Sequence, residues 1–172
     1  MQTRNHERFC LTRRALVGAI ALTLPAVRAL AAPERASCTV RLGGNGDPVS
    51  LEKFHGKILY LDFWASWCTP CLLSFPFMNQ LQRSYANRGL EILAVNMDEK
   101  PSDAQRFLAD HPASFPVAIG PNVSCARNLA VATMPTSFLI DRNGQVRATH
   151  VGFRSGDVGT LRGALEQLLS EA

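Results

Sequence analysis

Lys57-Ile58-Leu59-Tyr60-Leu61-Asp62-Phe63-Trp64, followed at once by Ala65-Ser66-Trp67-Cys68-Thr69-Pro70-Cys71, decides the fold and most of the chemistry of this chain. The first eight residues form an apolar and aromatic run broken by a single acid, the pattern of a strand buried on both faces of a sheet. The next residues end that strand and open a helical pattern predicted over Thr69 to Asn87. Two thiols three residues apart at a helix start can close into a small disulfide and reopen. Cys68, at the predicted helix N-terminus, is the expected nucleophile, because the helix dipole favours its thiolate. Cys71, one turn further in, is placed to attack a mixed disulfide formed at Cys68 and release the other chain. Pro70 fits the first turn, where no helical hydrogen bond is lost.

Other readings of the pair are weaker. Two thiolates could be half of a tetrahedral zinc site, but there is no second Cys-x-x-Cys, and His6, His55, His111 and His150 are scattered without ligand spacing. No metal is expected. A purely structural bridge is also poor, since so short a loop restricts the unfolded chain little.

Downstream, Leu90 to Met97 reads as a second buried strand, Ser102 to Asp110 as a helix capped by Ser102, and Phe115 to Ile119 as a short strand. Ser124 to Ala130 reads as a helical turn or two. Thr136 to Asp141 and Gln145 to Gly152 form a hairpin about Asn143-Gly144, a two-residue turn signal. Asp157 to Leu169 closes the chain as an amphipathic helix. The expected architecture is α/β, with one mixed sheet between helices.

Upstream, Ala15 to Val27 is uncharged and follows basic residues up to Arg14, and Ala29-Leu30-Ala31 offers small residues where a signal peptidase cuts. Residues 1–31 are therefore read as a signal peptide and 32–172 as one domain, with 32–37 as a short tether. Thr12-Arg13-Arg14-Ala15-Leu16-Val17 partly matches the twin-arginine export motif, although a plain basic segment explains the same residues. The expected location is the periplasm, with a membrane anchor if the signal is retained.

Charge supports the division. The 172 residues carry 18 basic and 14 acidic side chains, net +4, but residues 1–31 hold five arginines against Glu7 alone. The remainder is balanced, so the basic pI describes the leader and gives no reason to expect a nucleic-acid partner. Hydrophobic residues at 47% and charged residues at 19% exclude extended disorder and a multi-span membrane protein. Cys10 leaves with the leader, so Cys38 and Cys125 remain as candidates for a structural disulfide in an oxidising compartment; buried free thiols are the alternative. Trp64, Phe75, Met78 and Met97 read as core, and Trp67, beside Cys68, as contact surface.

The run Gly56-Lys57, Leu61 to Cys71 and the later Pro76 resemble the thioredoxin superfamily, in particular its exported TlpA-like and ResA-like thiol-disulfide oxidoreductases, over residues 38–170. The resemblance implies a thioredoxin-like three-layer sandwich with a central mixed β-sheet, and Asp98 to Val123 resembles the helix-strand segment inserted in the exported branch. It implies a cis-proline at Pro135, after Met134, where a substrate chain would pair beside the disulfide. It also implies that Asp62, whose pKa burial would raise, exchanges a proton with Cys71. Implied partners are disulfide-bearing proteins and a membrane thiol electron donor, with no dissociable cofactor and a monomeric chain. One departure stands out: ResA-like reductases carry a glutamate three residues after the second cysteine, and this chain has Ser74. The direction of electron flow stays open. The leading expectation is a reductase; the alternatives are a disulfide oxidase or isomerase, and a copper assembly factor using Cys68 and Cys71 as soft ligands.

Overall fold

A computed structural model describes residues 35–43, 46–120 and 122–171; the leader assigned to residues 1–31 lies outside them. The centre is a five-stranded mixed sheet. Its middle strand, β3 (Ile58–Trp64), has all seven residues buried. It pairs in parallel with β4 (Leu90–Asn96) and antiparallel with β6 (Thr136–Ile140); β5 (Val117–Ala118) and β7 (Val146–Val151) complete the order β5-β4-β3-β6-β7. The near-continuous apolar runs agree with this, because a central strand covered on both sides has no polar face to alternate with.

Alternation along β3 sorts the core into two layers. Ile58, Tyr60 and Trp64 face helices α1 (Cys71–Tyr85), α2 (Pro101–Asp110) and α4 (Asp157–Ser170), packing with Phe75, Met78, Leu81, Phe107 and Leu165. Leu59, Leu61 and Phe63 face the other way. They pack with Val40 of a small antiparallel hairpin, β1 (Thr39–Arg41) and β2 (Pro48–Ser50), with Leu51 at the start of the 3-10 turn Leu51–Phe54 that follows it, and with Cys125 of the short helix α3 (Val123–Asn128). The layers are helices, sheet, then hairpin and helix, as the resemblance implied.

Several boundaries differ from expectation for identifiable reasons. Helix α2 starts at Pro101, not at a Ser102 cap: a proline suits the first helical position and holds the preceding Lys100 extended. The hairpin about Asn143-Gly144 has a three-residue loop, closed by Asp141 N–H to Gln145 C=O at 2.9 Å with Gly144 at φ 78°, the geometry in which a glycine takes the left-handed position after a type I turn. Residues 35–37 are no tether: Arg35 bridges Gln145, and Ala36 is buried and donates to the Gly144 carbonyl at 2.9 Å. Strand β5 is only two residues long, shorter than the Phe115 to Ile119 expected. Among the described residues, no helix is long and apolar enough to cross a membrane.

Candidate active site

Strand β3 ends at Trp64, and the chain turns through Ala65 to Pro70 before α1 begins. The Cys68 N–H reaches the Ala65 carbonyl at 3.1 Å, and the Cys71 N–H reaches the Cys68 carbonyl at 3.0 Å. The helix therefore starts at Cys71, two residues later than expected, with Pro70 at its cap. Cys68 sits just ahead of the helix in the turn, still at its positive end. Cys68 and Cys71 are joined as a disulfide, with Cα atoms 5.3 Å apart. Cys68 keeps 4% of its surface exposed and Cys71 none, so only one sulfur is within reach of another protein.

Two buried polar groups hold the turn in place. Asp98, just beyond β4, accepts the Ser66 N–H at 3.1 Å on both oxygens, the Ser66 hydroxyl at 3.0 Å and the Asn96 amide at 2.8 Å. Asn96 in turn accepts the Asp98 N–H at 3.1 Å and receives the Asn122 amide on its carbonyl. This clamp fixes the backbone two residues before Cys68. The sequence offered no signal for it beyond two polar residues at the end of an apolar strand.

Asp62 is fully buried. Its position in β3 puts it on the face of Tyr60 and Trp64, the face that also receives Cys68 and Cys71. Burial pushes its carboxyl up to about 7, against a partial lowering by the Ser137 hydroxyl, which donates to Oδ1 at 2.7 Å. Oδ2 has no hydrogen-bond partner. Tyr60 donates its phenol proton to Ser137 Oγ at 3.0 Å, and burial raises the phenol pKa so far that it stays protonated. Ser137 and Tyr60 were not singled out from the sequence. Tyr60 reads there as one more apolar residue, and Ser137 meets Asp62 only through the β3–β6 register, in which they are partners.

The same register sets Thr136 opposite Phe63 and so brings Pro135 to the end of β3 where the cysteine turn begins. The Met134–Pro135 peptide is cis. Met134 is half-buried against the cluster that contains Cys68 and Cys71. Around this end of the sheet lie exposed apolar side chains: Trp67 at 69%, Leu73 at 53% and Leu72 at 40%, with Val151 beside Pro135 at 61%. Trp64, Phe75 and Met78 are core. Ser74, at the position of the family's glutamate, is buried and donates to the Cys71 carbonyl at 3.1 Å, so a small hydroxyl satisfied on its own helix occupies that space.

Cys38 and Cys125 are bonded to each other on the opposite face, linking the start of β1 to α3. The structure thus brings Cys68, Cys71 and Asp62 to one face and Cys38 with Cys125 to the other. Among the described residues no group of three His, Cys, Asp or Glu side chains is arranged to hold a metal ion.

A family described as Redoxin matches residues 23–168. The chain belongs to the Redoxin family. A thiol-disulfide oxidoreductase ResA from Bacillus thuringiensis is 39% identical over 101 residues, covering 59% of this chain and 58% of that protein. Another ResA, from Bacillus anthracis, is 34% identical over 123 residues, 72% of this chain and 70% of its own length. Among solved structures, a Chlorobium tepidum protein provisionally named thiol:disulfide interchange protein DsbE superposes with a TM-score of 0.76 at 45% identity, over 80% of this chain and 97% of that one. This Redoxin member therefore spans less than two thirds of the length of the Bacillus thuringiensis relative. The resemblance to ResA-like members of the thioredoxin superfamily holds.

Proposed function

We propose that this protein is an exported thiol-disulfide oxidoreductase that acts in the periplasm as a reductant of protein disulfides. The observation that carries the reading is a Cys68–Cys71 disulfide with one reachable sulfur and one sealed sulfur, on the same sheet face as a buried acid with a free oxygen.

In the reduced protein the Cys68 thiolate attacks a client disulfide: a Cys68–client bond forms, the client S–S bond breaks, and one client thiolate leaves. Cys71 then gives its thiol proton to Asp62 and attacks Cys68. The Cys68–Cys71 bond forms, the Cys68–client bond breaks, and the second client thiolate departs with its electron pair. Two electrons have passed to the client. A membrane dithiol restores the reduced pair, with the Asp62 proton returning to Cys71. Trp67, Met134 and Pro135 form the contact surface: Trp67 offers apolar area, and the backbone about Met134 pairs with an extended client segment. No dissociable cofactor takes part.

What surrounds Cys68 supports this direction of flow. Thr69-Pro70 supplies no cation or imidazole to stabilise the thiolate, and a carboxylate at Asp62 opposes its formation. A less stabilised reduced form means a more reducing couple. The test is trapping. Cys71→Ala accumulates a mixed disulfide with reduced-and-reoxidised insulin or a client, and Cys68→Ala neither traps nor reduces; trapping by Cys68→Ala alone reverses the assignment.

A further inference from the structure

A carboxylate that trades a proton with a buried thiol needs one oxygen free and aimed, and a freely turning carboxyl offers neither. In this protein one oxygen of Asp62 is tied down. Ser137 has a single hydroxyl hydrogen, and it is committed to Asp62 Oδ1 at 2.7 Å. What commits it is Tyr60: the phenol donates to Ser137 Oγ at 3.0 Å, so the Ser137 hydrogen has to point away from Tyr60, towards the acid. The three side chains are 0%, 2% and 0% exposed, and Oδ2 is left without a partner in the same buried layer as the cysteines.

We propose that Ser137, locked by Tyr60, is a positioning residue for the thiol-exchange reaction, holding Asp62 Oδ1 so that Oδ2 is the oxygen that takes and returns the Cys71 proton. The proposal rests on the reading of Asp62 as proton acceptor given above. Ser137 keeps its bond to Oδ1 in both protonation states, since the carbonyl oxygen of the neutral acid still accepts. It binds the carboxylate more strongly, which keeps part of Asp62 ionised near neutral pH despite its burial. Besides the two cysteines, titratable groups on this face include His150 on β7, opposite Ser137 in the register, and its partner Asp157 on α4 at 3.2 Å. His150, Tyr60 and Ser137 line one cavity of about 110 Å³, closed on the α4 side by Thr160, Leu161 and Ala164.

The experiment measures the pH profile of single-turnover insulin reduction, and the carboxyl titration of Asp62 by carbon NMR, in a His150→Gln background that removes the imidazole opposite Ser137. Ser137→Ala is expected to slow reduction about tenfold, the loss of one hydrogen bond to a charged group, and to raise the Asp62 titration above its starting value. Ser137→Thr restores both, because it returns the hydroxyl. Tyr60→Phe keeps the Ser137 hydroxyl but frees its rotation, and is expected to move both readouts in the same direction as Ser137→Ala by less. Asp62→Asn that slows the reaction, alongside Ser137→Ala and Tyr60→Phe with unchanged rate and titration, overturns the positioning role alone. Asp62→Asn at full rate overturns the proton-acceptor reading beneath it.

Discussion

Each face of the sheet carries one disulfide, and the two are built to opposite ends. On the helical face Cys68 and Cys71 are three residues apart, beyond the end of the central strand, next in the chain to exposed Trp67 and on the sheet face that carries the buried Asp62. On the other face Cys38 and Cys125 are 87 residues apart and lie among Val40, Leu51, Leu61 and Ala126. Closing a three-residue loop removes little freedom from the unfolded chain, whereas closing one of this length removes much. The first bond adds little to the fold and can open without endangering it. The second fastens the hairpin β1–β2 to α3. Reactivity and stabilisation, which a single disulfide would have to share, are thus divided between the faces.

The largest expected effect is on the reactive face and concerns stability. Folded Asp62 keeps its proton up to about pH 7, while the unfolded chain releases it near pH 4. Between those values the folded state binds more protons, so the stability of the oxidised protein falls as pH rises. The loss is complete above about pH 7 and is on the order of 4 kcal/mol. Asp62→Asn removes it: urea unfolding should show the variant more stable than the parent at pH 8, with the slope between pH 4 and 7 flattened, while disulfide reduction slows. Equal stability at pH 8 would show that Asp62 is not the strained group the comparison makes it.

Breaking the other face should do the reverse. Replacing Cys38 and Cys125 together by alanine is expected to lower stability by about 2 to 4 kcal/mol and to leave the rate per folded molecule unchanged, read by urea melts and insulin turnover. A lost rate in folded protein would mean that the two pairs communicate.

The smallest effect concerns the clamp that holds the cysteine turn. Asp98→Ala strands the Ser66 N–H, the Ser66 hydroxyl and the Asn96 amide, for a loss of about 1 to 3 kcal/mol. Because the turn bears Cys68, hydrogen exchange at Ser66 to Cys68 should speed up while the Cys38–Cys125 face stays protected.

How much of this was legible in the chain depended on whether a feature was local. The runs at Ile58 to Trp64 and Leu90 to Asn96 declare buried strands because apolar residues dominate both without alternation, and the Cys-x-x-Cys pair declares its chemistry by spacing alone. Asp62 was visible as an acid in an apolar strand. The hairpin β1–β2 was not seen as a pair: its strands are three residues each and partly exposed, too short for any period to show. The helix start was misplaced because Thr69-Pro70 looks helical from its residues yet forms the last part of a turn. Ser137 and Asp98 acquire meaning only through tertiary pairing, with Asp62 lying 75 residues from Ser137 and Ser66 lying 32 from Asp98, and no pattern within one segment carries such a pairing.

The division between the faces is tested most directly by equilibrating the oxidised protein with glutathione redox buffers and following both disulfides by peptide mapping. Cys68–Cys71 is expected to open at a potential near that of thioredoxin, about −270 mV, and well below the strong oxidant DsbA at about −120 mV, while Cys38–Cys125 stays closed throughout. A Cys68–Cys71 potential above about −180 mV would contradict the reductant reading in favour of a disulfide donor or isomerase, and joint opening of the two pairs would contradict the separation of roles.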